Sequence, residues 1–370
     1  MFLELTDIDF EQLAQPLSDE QPCGEDPRLD ASPMSTYFTL KDVRNTARAA
    51  ERNALVDNEP LLSFANEWDP IVNQVPEVLV ENCKDLELAA WLIEGLVRRK
   101  GFKGLRQGFD IARTLIENHW DNLYPSPDED GVVTRVAPLV GLNGYDGEGT
   151  LLMPIACVPL TDLIDVQPYS LWEFEQASEV ERLEEKKRTQ RHNSGAVRLE
   201  DITNTVKATS GAFFVELLQD IELASEAYKK LSAAMDEAVG EPQPSSHIIK
   251  RLTDCIEAVR YLAADKLSAA EAQASIEEIL EESDEQPSDA EAVAGPSNQL
   301  RNRADAIQQL GKIAEFFKET EPHSPMAYAI EQVVRWSGMN LPDLLQELIS
   351  DNDARTGYFR LTGISSESQD

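Results

Sequence analysis

Cysteine and histidine are scarce in this chain of 370 residues, and their spacing suits neither metal binding nor disulfide pairing. The four cysteines, which include no CxxC pair, are Cys23, Cys83, Cys157 and Cys255. The four histidines, which include no i, i+4 pair and no HExxH motif, are His119, His192, His247 and His323. Neither a zinc site nor a disulfide-stapled secreted domain is therefore predicted, and a reducing compartment fits this cysteine usage.

Basic residues are also few. The chain has 33 Lys and Arg against 68 Asp and Glu, a formal net charge of −35. This field repels nucleic-acid phosphates and anionic lipid surfaces, so we expect no nucleic acid among the partners. One stretch, Arg182–His192, is locally basic. Its acidic neighbours favour an exposed helix face over a binding site.

Long apolar runs are missing as well. No window approaches the ~18 consecutive apolar residues that indicate a membrane span. The N-terminal segment MFLELTDIDFEQLAQ lacks the basic region and apolar core of a secretory signal. We therefore expect a cytoplasmic protein without direct membrane insertion.

The sequence contains no recognisable catalytic or cofactor motif. The glycine-rich segment Gly141–Gly149 lacks the Lys-Ser/Thr of a phosphate loop and the GxGxxG order of a dinucleotide turn. There is no GxSxG elbow, and nothing marks two carboxylates as a general acid and base. We predict that the protein is not an enzyme and needs no cofactor or metal. A metal-dependent hydrolase that uses scattered His and Asp/Glu is the remote alternative.

Helical periodicity dominates what the sequence does contain. Apolar residues recur on one face of segment 84–99 and again on one face of segment 105–124. Gly101 and Gly104 separate the two segments and Tyr124-Pro125 ends the second, which predicts an antiparallel helical hairpin. The Gly- and Pro-rich stretch from 141 to 168 is predicted to be irregular, with short strands around 150–160.

Composition divides the chain into four predicted regions. A helical N-terminal domain covers 1–178 and a helical middle region covers 179–270. Residues 271–298 form an acidic linker, since Glu271–Glu291 holds nine acidic residues and no basic one. A small helical oligomerisation domain follows over 299–370. The predicted fold class is accordingly mainly α.

The C-terminal region contains a capped helix with an apolar face. Ser324 suits an N-cap and Pro325 the first helical position, which leaves His323 as a surface bystander. Gly338 is predicted to end this helix, and a second short helix follows Leu341. A unit of ~60 residues is marginal alone, so its apolar face suits packing against copies or partners. For Trp336, the core of a monomeric unit and an interface are equally supported.

The same residues resemble a known family. The segment EPHSPMAYAIEQVVRWSGMNLPDLLQELI, from Glu321 to Ile349, is similar to the C-terminal signature of the short TssA proteins of bacterial type VI secretion systems. The first half is similar to the ImpA N-terminal domain of that family. The matching blocks, in order, are PLSDEQPCGEDPRLD (16–30), ARAAER (47–52), EWDPIV (67–72), KDLELAAWL (84–92) and HWDNLYP (119–125). Some family members carry a longer C-terminal region and cap the distal end of the sheath, and this chain resembles the shorter, baseplate-associated class.

The resemblance implies a structural component that assembles the cytoplasmic baseplate and initiates the tail tube and sheath through an oligomeric ring. It implies self-association in a multiple of six and contact with baseplate, tube and sheath proteins and with the membrane complex. Localisation would be cytoplasmic, at the apparatus on the inner membrane. The alternative role within the system is a sheath distal-end capping chaperone.

Two residue sets follow from the resemblance. The expected oligomerisation or partner surface consists of Met326, Tyr328, Ile330, Val333, Arg335, Trp336, Met339, Leu344 and Leu345. The N-terminal motif positions are Pro22, Cys23, Gly24, Glu25, Asp26, Trp68, Asp85, Trp91, Trp120 and Pro125. Whether PCGED (22–26) is a contact site or a tight turn is open, although Gly24 and Pro27 favour the turn.

Overall fold

A long helical hairpin organises the N-terminal part of the computed structural model. Helix α4 (Leu86–His119) breaks at Gly101, where φ is 59° and ψ is −141°, a conformation that only glycine adopts readily. The two halves fold back on each other, because a Cβ on Gly108 would lie 2.7 Å from Ile93 Cγ1. At the open end, the Leu86 amide donates to the Tyr124 carbonyl (2.8 Å). The predicted antiparallel hairpin is confirmed.

The structure describes residues 8–32, 34–57, 59–129, 131–145, 147–162, 168–270, 303–320, 325–337 and 339. They belong to two compact units, 1–285 and 286–370. The helices of the first unit are α1 (Phe10–Ala14), α2 (Thr36–Asp57), α3 (Asp69–Glu81), α4, α5 (Val133–Asn143), α6 (Leu152–Ala156), α7 (Leu171–Glu181), α8 (Glu185–Asn193), α9 (Leu199–Ala208), α10 (Gly211–Val239) and α11 (Ser246–Leu262). Short 3-10 turns cover Pro27–Leu29, Leu61–Trp68 and Trp120–Asn122. The predicted mainly α class is confirmed.

One continuous apolar core runs through the first unit, from Ile8 to Ala263. Helix α10 lies along α4, and the rings of Phe109 and Tyr228 are 4.9 Å apart. The predicted domain boundary at 178 falls inside α7, which contributes Leu171 and Ala177 to this core. The predicted division of the chain stays a prediction, and the acidic region 271–298 lies outside the described residues.

The prediction of short strands around 150–160 is wrong. Residues Leu152–Ala156 form helix α6, and the nearest extended pairing is an isolated bridge between Pro159 and Ser170. Most side chains of this stretch are buried, so no alternating pattern separates strand from helix. Pro154 lies in the first turn of α6, where a missing N–H costs nothing.

The second unit contains two described helices, α12 (Arg303–Thr320) and α13 (Pro325–Ser337). They contact each other, and the Lys318 ammonium forms an ion pair with the Glu331 carboxylate. Helix α13 starts at Pro325, as the sequence predicts. His323, Ser324, Gly338 and the predicted helix after Leu341 lie outside the described residues.

None of the helices in the described ranges is both long enough and apolar enough to cross a membrane.

Gly108→Ala tests the close approach inside the hairpin. The added methyl would lie 3.2 Å from Ile93 Cα, a backbone atom that cannot rotate away. We expect the free energy of unfolding to fall by about 1–3 kcal/mol in urea denaturation. Gly141→Ala is the matched control, because its Cβ meets nothing within 4 Å on helix α5. The free energy of unfolding of Gly141→Ala should rise by about 0.5–1 kcal/mol. Equal changes in the two variants would contradict the close packing of Gly108 against Ile93.

Candidate functional site

Three of the five motif blocks, 16–30, 84–92 and 119–125, meet at the open end of the α4 hairpin, which we call the hairpin base. PCGED forms a turn against residues 82–84: Gly24 bridges Cys83, and the Lys84 amide donates to the Cys23 carbonyl (3.0 Å). Gly24 has φ +71°, and a Cβ there would lie 2.1 Å from the Asn82 carbonyl oxygen. Only glycine fits this approach, so the segment acts here as a tight turn.

Arg28 connects that turn to the start of α4. Its guanidinium donates to Asp26 (3.0 Å), to Asp85 (2.7 Å) and to Glu87 (2.7 Å). It also lies 5.1 Å from the centre of the Tyr37 ring, and the Tyr37 hydroxyl donates to Glu87 (2.8 Å). One cation therefore holds the motif turn, helix α2 and helix α4 together.

Asp85 has two structural roles in this network. One carboxylate oxygen caps α4 by accepting the amides of Glu87 (2.8 Å) and Leu88 (3.0 Å), and the other accepts Arg28. Burial raises the pKa of Asp85, and the hydrogen bond from Arg28 opposes that rise. Burial lowers the pKa of Arg28, but the surrounding carboxylates more than offset this, so it ends above its usual value. The pKa of Tyr37 is raised, first by burial and then by Glu87.

The last motif block closes the other side of the base. The Arg135 guanidinium lies 5.1 Å from the Trp120 ring and donates to the carbonyls of Trp120 and Pro125. The Tyr124-Pro125 bond is cis. His119 Nε2 lies 2.9 Å from the Leu13 carbonyl, so this nitrogen carries the proton, and burial lowers the pKa of the ring.

Lys84 is the unexpected member of the base. Its side chain is fully buried, and its ammonium nitrogen has no hydrogen-bond partner among the described residues. Burial lowers the pKa of Lys84. Burial also raises the pKa of Cys23 to about 11 and that of Cys83 to about 12, so both thiols are protonated at neutral pH and are poor nucleophiles.

The remaining motif tryptophans lie in the core between α2 and α4. Trp68 donates through Nε1 to Glu51 (2.8 Å), and Glu51 accepts two bonds from Arg98, whose guanidinium lies 4.2 Å from the Trp68 ring. The Trp91 ring is 5.2 Å from that of Tyr37. The structure thus brings together Cys23, Gly24, Asp26, Asp85, Trp91, Trp120 and Pro125 at or near the base, and places Trp68 deeper between the helices. Pro22 and Glu25 are part of the same turn.

This arrangement holds the motif turn, helix α2 and the start of α4 together. No group of three His, Cys, Asp or Glu side chains in the described residues could hold a metal ion. The sequence did not single out Arg28, Tyr37, Glu87 or Lys84. Only the position of Arg28 two residues after PCGED could have signalled its role.

The C-terminal candidates lie on α13 or just after it. Met326, Tyr328 and Val333 are 50%, 62% and 47% exposed. Arg335 is exposed, whereas Ile330, Trp336 and Met339 are partly buried. The Trp336 indole nitrogen is buried without a hydrogen-bond partner in the described part of the chain. Leu344 and Leu345 lie outside the described residues.

Helix α12 adds two exposed apolar side chains that the sequence did not assign to the surface. Ile313 is 44% exposed and Phe316 is 60% exposed. We call Ile313, Phe316, Met326, Tyr328 and Val333 the α12–α13 apolar set.

Two substitutions at the base should change stability in opposite directions. Lys84→Met removes a buried amine that has no hydrogen-bond partner in the described structure, so the free energy of unfolding should rise by about 1–3 kcal/mol. Arg28→Met leaves Asp85 buried without its cation and should lower that free energy by about 3–5 kcal/mol. Urea denaturation of both variants measures the difference.

The gain from Lys84→Met should also depend on pH. With its folded-state pKa depressed, Lys84 takes up a proton on unfolding at any pH between that pKa and 10.5. The wild type therefore loses stability relative to the variant as pH falls through this window, by at most about 1.4 kcal/mol per pH unit. A difference that stays constant between pH 10 and pH 7 would contradict a depressed pKa.

Comparison with known proteins agrees with the motif blocks. The family model "ImpA, N-terminal, type VI secretion system" matches residues 14–144, which include the whole hairpin base. The chain is 24% identical over 352 residues to the type VI secretion system component TssA1 of Pseudomonas aeruginosa, covering 93% of this chain and 96% of the relative.

A solved structure shares the fold of the N-terminal unit. It is the N-terminal domain, including the conserved ImpA_N region, of the TssA component from Burkholderia cenocepacia, with a TM-score of 0.58 and 24% identity. The match covers 71% of this chain and 96% of that one. Residues 14–144 thus match the ImpA N-terminal region, and the chain is similar over almost its whole length to a TssA component of a type VI secretion system.

Proposed function

We propose that this protein assembles the cytoplasmic baseplate of a type VI secretion system and initiates the tail tube and sheath through an oligomeric ring. The C-terminal unit forms the ring, and the N-terminal unit contacts the other components. The similarity to TssA components over almost the whole chain supports a role in this system. The exposed apolar side chains of the second unit carry the proposal of a ring.

The α12–α13 pair has little interior of its own in the described residues. Only Ala314 and Ala327 are fully buried there, and both are small. The larger side chains of the α12–α13 apolar set are 44% to 62% exposed. A helix pair of this kind gains stability when a neighbour covers the apolar side chains.

Self-association supplies such a neighbour. Burying the exposed half of each of these five side chains contributes about 1 kcal/mol per side chain. A contact between two different surfaces of the same unit closes into a ring when the rotation between copies closes. The resemblance to the short TssA class leads us to propose a multiple of six copies.

The N-terminal unit presents its own exposed apolar residues beside the hairpin base. Leu29 and Met34 are 80% and 85% exposed, and Phe38 is 41% exposed next to the Tyr37 ring. Arg28 and Tyr37, which neighbour Leu29 and Phe38 in the sequence, both bind Glu87 of α4. We propose that it contacts baseplate, tube or sheath proteins, with the membrane complex as a further partner. We also propose a cytoplasmic location at the inner membrane.

Charge substitution on α12–α13 tests the ring. Phe316→Asp with Tyr328→Asp should shift the full-length chain from several copies to the 41.2 kDa monomer in light scattering, because two carboxylates cannot be buried unpaired. Trp336→Ala should weaken the ring as well, through lost packing.

Val215→Asp on α10 is the matched control, because Val215 is 42% exposed in the N-terminal unit. It should leave the mass of the oligomer unchanged. An unchanged mass for the double variant, or a wild type that is already monomeric at assay concentration, would overturn the ring.

Imaging separates the baseplate role from distal capping. A fluorescent fusion of this protein should stay as a focus at the membrane-proximal end while the sheath extends away from it. A focus that moves with the distal tip would contradict the baseplate role and favour the capping chaperone. Diffuse fluorescence during sheath extension would contradict both.

A further inference from the structure

A row of basic side chains runs along one border of helix α2. Lys41, Arg44, Arg48 and Arg52 follow spacings of three and four residues, which place them on neighbouring turns of one helix edge. The row is about 16 Å long at 1.5 Å per residue. Arg98 of α4 lies behind it and binds Glu51, the carboxylate between Arg48 and Arg52. This α2 basic row is unusual in a chain of net charge −35.

Two of the arginines near the row have partners within the fold. Arg44 binds Glu94 through Nε (2.5 Å), and its guanidinium lies 5.8 Å from the Trp91 ring. Arg98 engages both carboxylate oxygens of Glu51 and the Glu94 carbonyl. Arg98 thus engages the whole Glu51 carboxylate, and Arg44 engages Oε2 of Glu94, whose Oε1 has no hydrogen-bond partner among the described residues.

Arg48 and Arg52 form no ion pair or hydrogen bond with the described residues. Arg48 is half-buried, and its pKa is lowered, first by burial and then by the nearby charges of Arg44, Arg98 and Arg52, against the pull of Glu94. Four guanidinium groups thus share two carboxylates. An anion that bound beside Arg48 and Arg52 would relieve both the repulsion and the desolvation.

The chain itself contains an acidic segment, whose charge is opposite to that of the α2 basic row. Residues 271–285, EAQASIEEILEESDE, contain seven acidic residues and no basic one, and they directly follow Ala270, where the described part of the first unit ends. Fifteen residues reach up to about 50 Å.

Ala270 lies at the Gly101 end of the α4 hairpin, the end at which Arg48 and Arg52 also lie. A Cβ on Gly211, the first residue of α10, would lie 3.9 Å from Ala270 Cβ. The first turns of α10 contact α4 beside the Gly101 break, where Lys103 pairs with Glu216. Arg98, which binds Glu51 of α2, precedes that break by three residues. Ala270 and the Arg48–Arg52 end of the row are therefore at the same end of the hairpin.

We propose that the α2 basic row is a binding site for carboxylates, occupied by the acidic segment 271–285 of the same chain. The segment supplies the anionic charge that Arg48 and Arg52 lack. Electrostatic attraction dominates this contact, so salt weakens it.

Helix α8 is the other basic region, and the structure favours it less. None of its residues is buried, and Arg188 and His192 already face Glu181 at 3.3 Å and 3.6 Å. Its exposed lysines are fully hydrated, so binding a carboxylate gains little there. Lys186 and Lys187 therefore serve as a control for charge alone.

Zero-length carbodiimide coupling on the full-length chain tests the proposal, because it joins an amine to a carboxylate only in direct contact. Lys41 supplies the amine within the row. Mass spectrometry should find Lys41 joined to acidic residues of 271–285 at low salt. In Arg48→Glu/Arg52→Glu this yield should fall about fivefold to tenfold, while Lys186→Glu/Lys187→Glu, with the same charge change, should keep it. Sodium chloride at 0.5 M should lower the wild-type yield in the same direction.

Each other outcome overturns the proposal. If Lys41 is not linked to 271–285 at low salt, the site is rejected. If the cross-link yield falls equally in Lys186→Glu/Lys187→Glu, the effect comes from net charge and not from the α2 basic row. A mixture of isotope-labelled and unlabelled chains distinguishes the source of the acidic segment. If links form only between labelled and unlabelled chains, the segment comes from a second copy and the same-chain contact is rejected. Circular dichroism verifies that each variant is folded. If the double variant is unfolded, the cross-link yield of the single variant Arg52→Glu is measured instead, because Arg52 is exposed and its substitution does not disturb the core.

Discussion

The ion pair between Arg28 and Asp85 is the contact on which the N-terminal unit depends. Asp85 is fully buried, caps the first turn of α4 and faces a guanidinium that also holds Asp26 and Glu87. A buried carboxylate of this kind is tolerable only while its cation is in place. The motif turn, the start of α4 and the N-terminal part of α2 are therefore coupled, and none can shift without breaking the network.

The hairpin geometry explains why three of the five motif blocks are far apart in sequence and close in space. The break at Gly101 returns the chain, so that Tyr124 pairs with Lys84 and Leu86 at the base. Gly108 permits the two halves to approach within side-chain contact. Blocks 16–30, 84–92 and 119–125 thus form one structural junction. Blocks 47–52 and 67–72 contact Arg98 and Arg99 toward the Gly101 break.

Local patterns in the sequence were sufficient for the α4 hairpin and for the start of α13. The apolar period of 84–116, the glycines between its halves and Ser324–Pro325 each act within a few residues, and the hairpin and the start of α13 follow from them. Arg28 and Asp85 are 57 residues apart, and no local pattern pairs one arginine with one of 68 acidic residues. The burial of Lys84 could not be predicted either, because a lysine next to an aspartate is typical of an exposed position.

In the second unit, core and interface side chains share one sequence pattern. Apolar stripes for a core and for an interface follow the same 3.6-residue period, so Tyr328 and Ile330 look alike until burial separates them. In the structure Tyr328 is 62% exposed and Ile330 is partly buried.

Charge and apolar surface are divided between the two proposed contacts, and this division has a physical consequence. With a net charge of −35, copies of the chain repel one another, so a ring must form through short-range apolar contact such as that of the α12–α13 set. Salt screens the repulsion within about 8 Å at physiological ionic strength and strengthens apolar burial only modestly, so ring closure becomes easier as salt rises. The contact proposed for the α2 basic row has the opposite salt dependence, because it is an attraction between unlike charges. The same change in ionic strength therefore loosens the acidic segment from the N-terminal unit while it favours association of the C-terminal helices, and the two contacts can be distinguished in one protein without mutation.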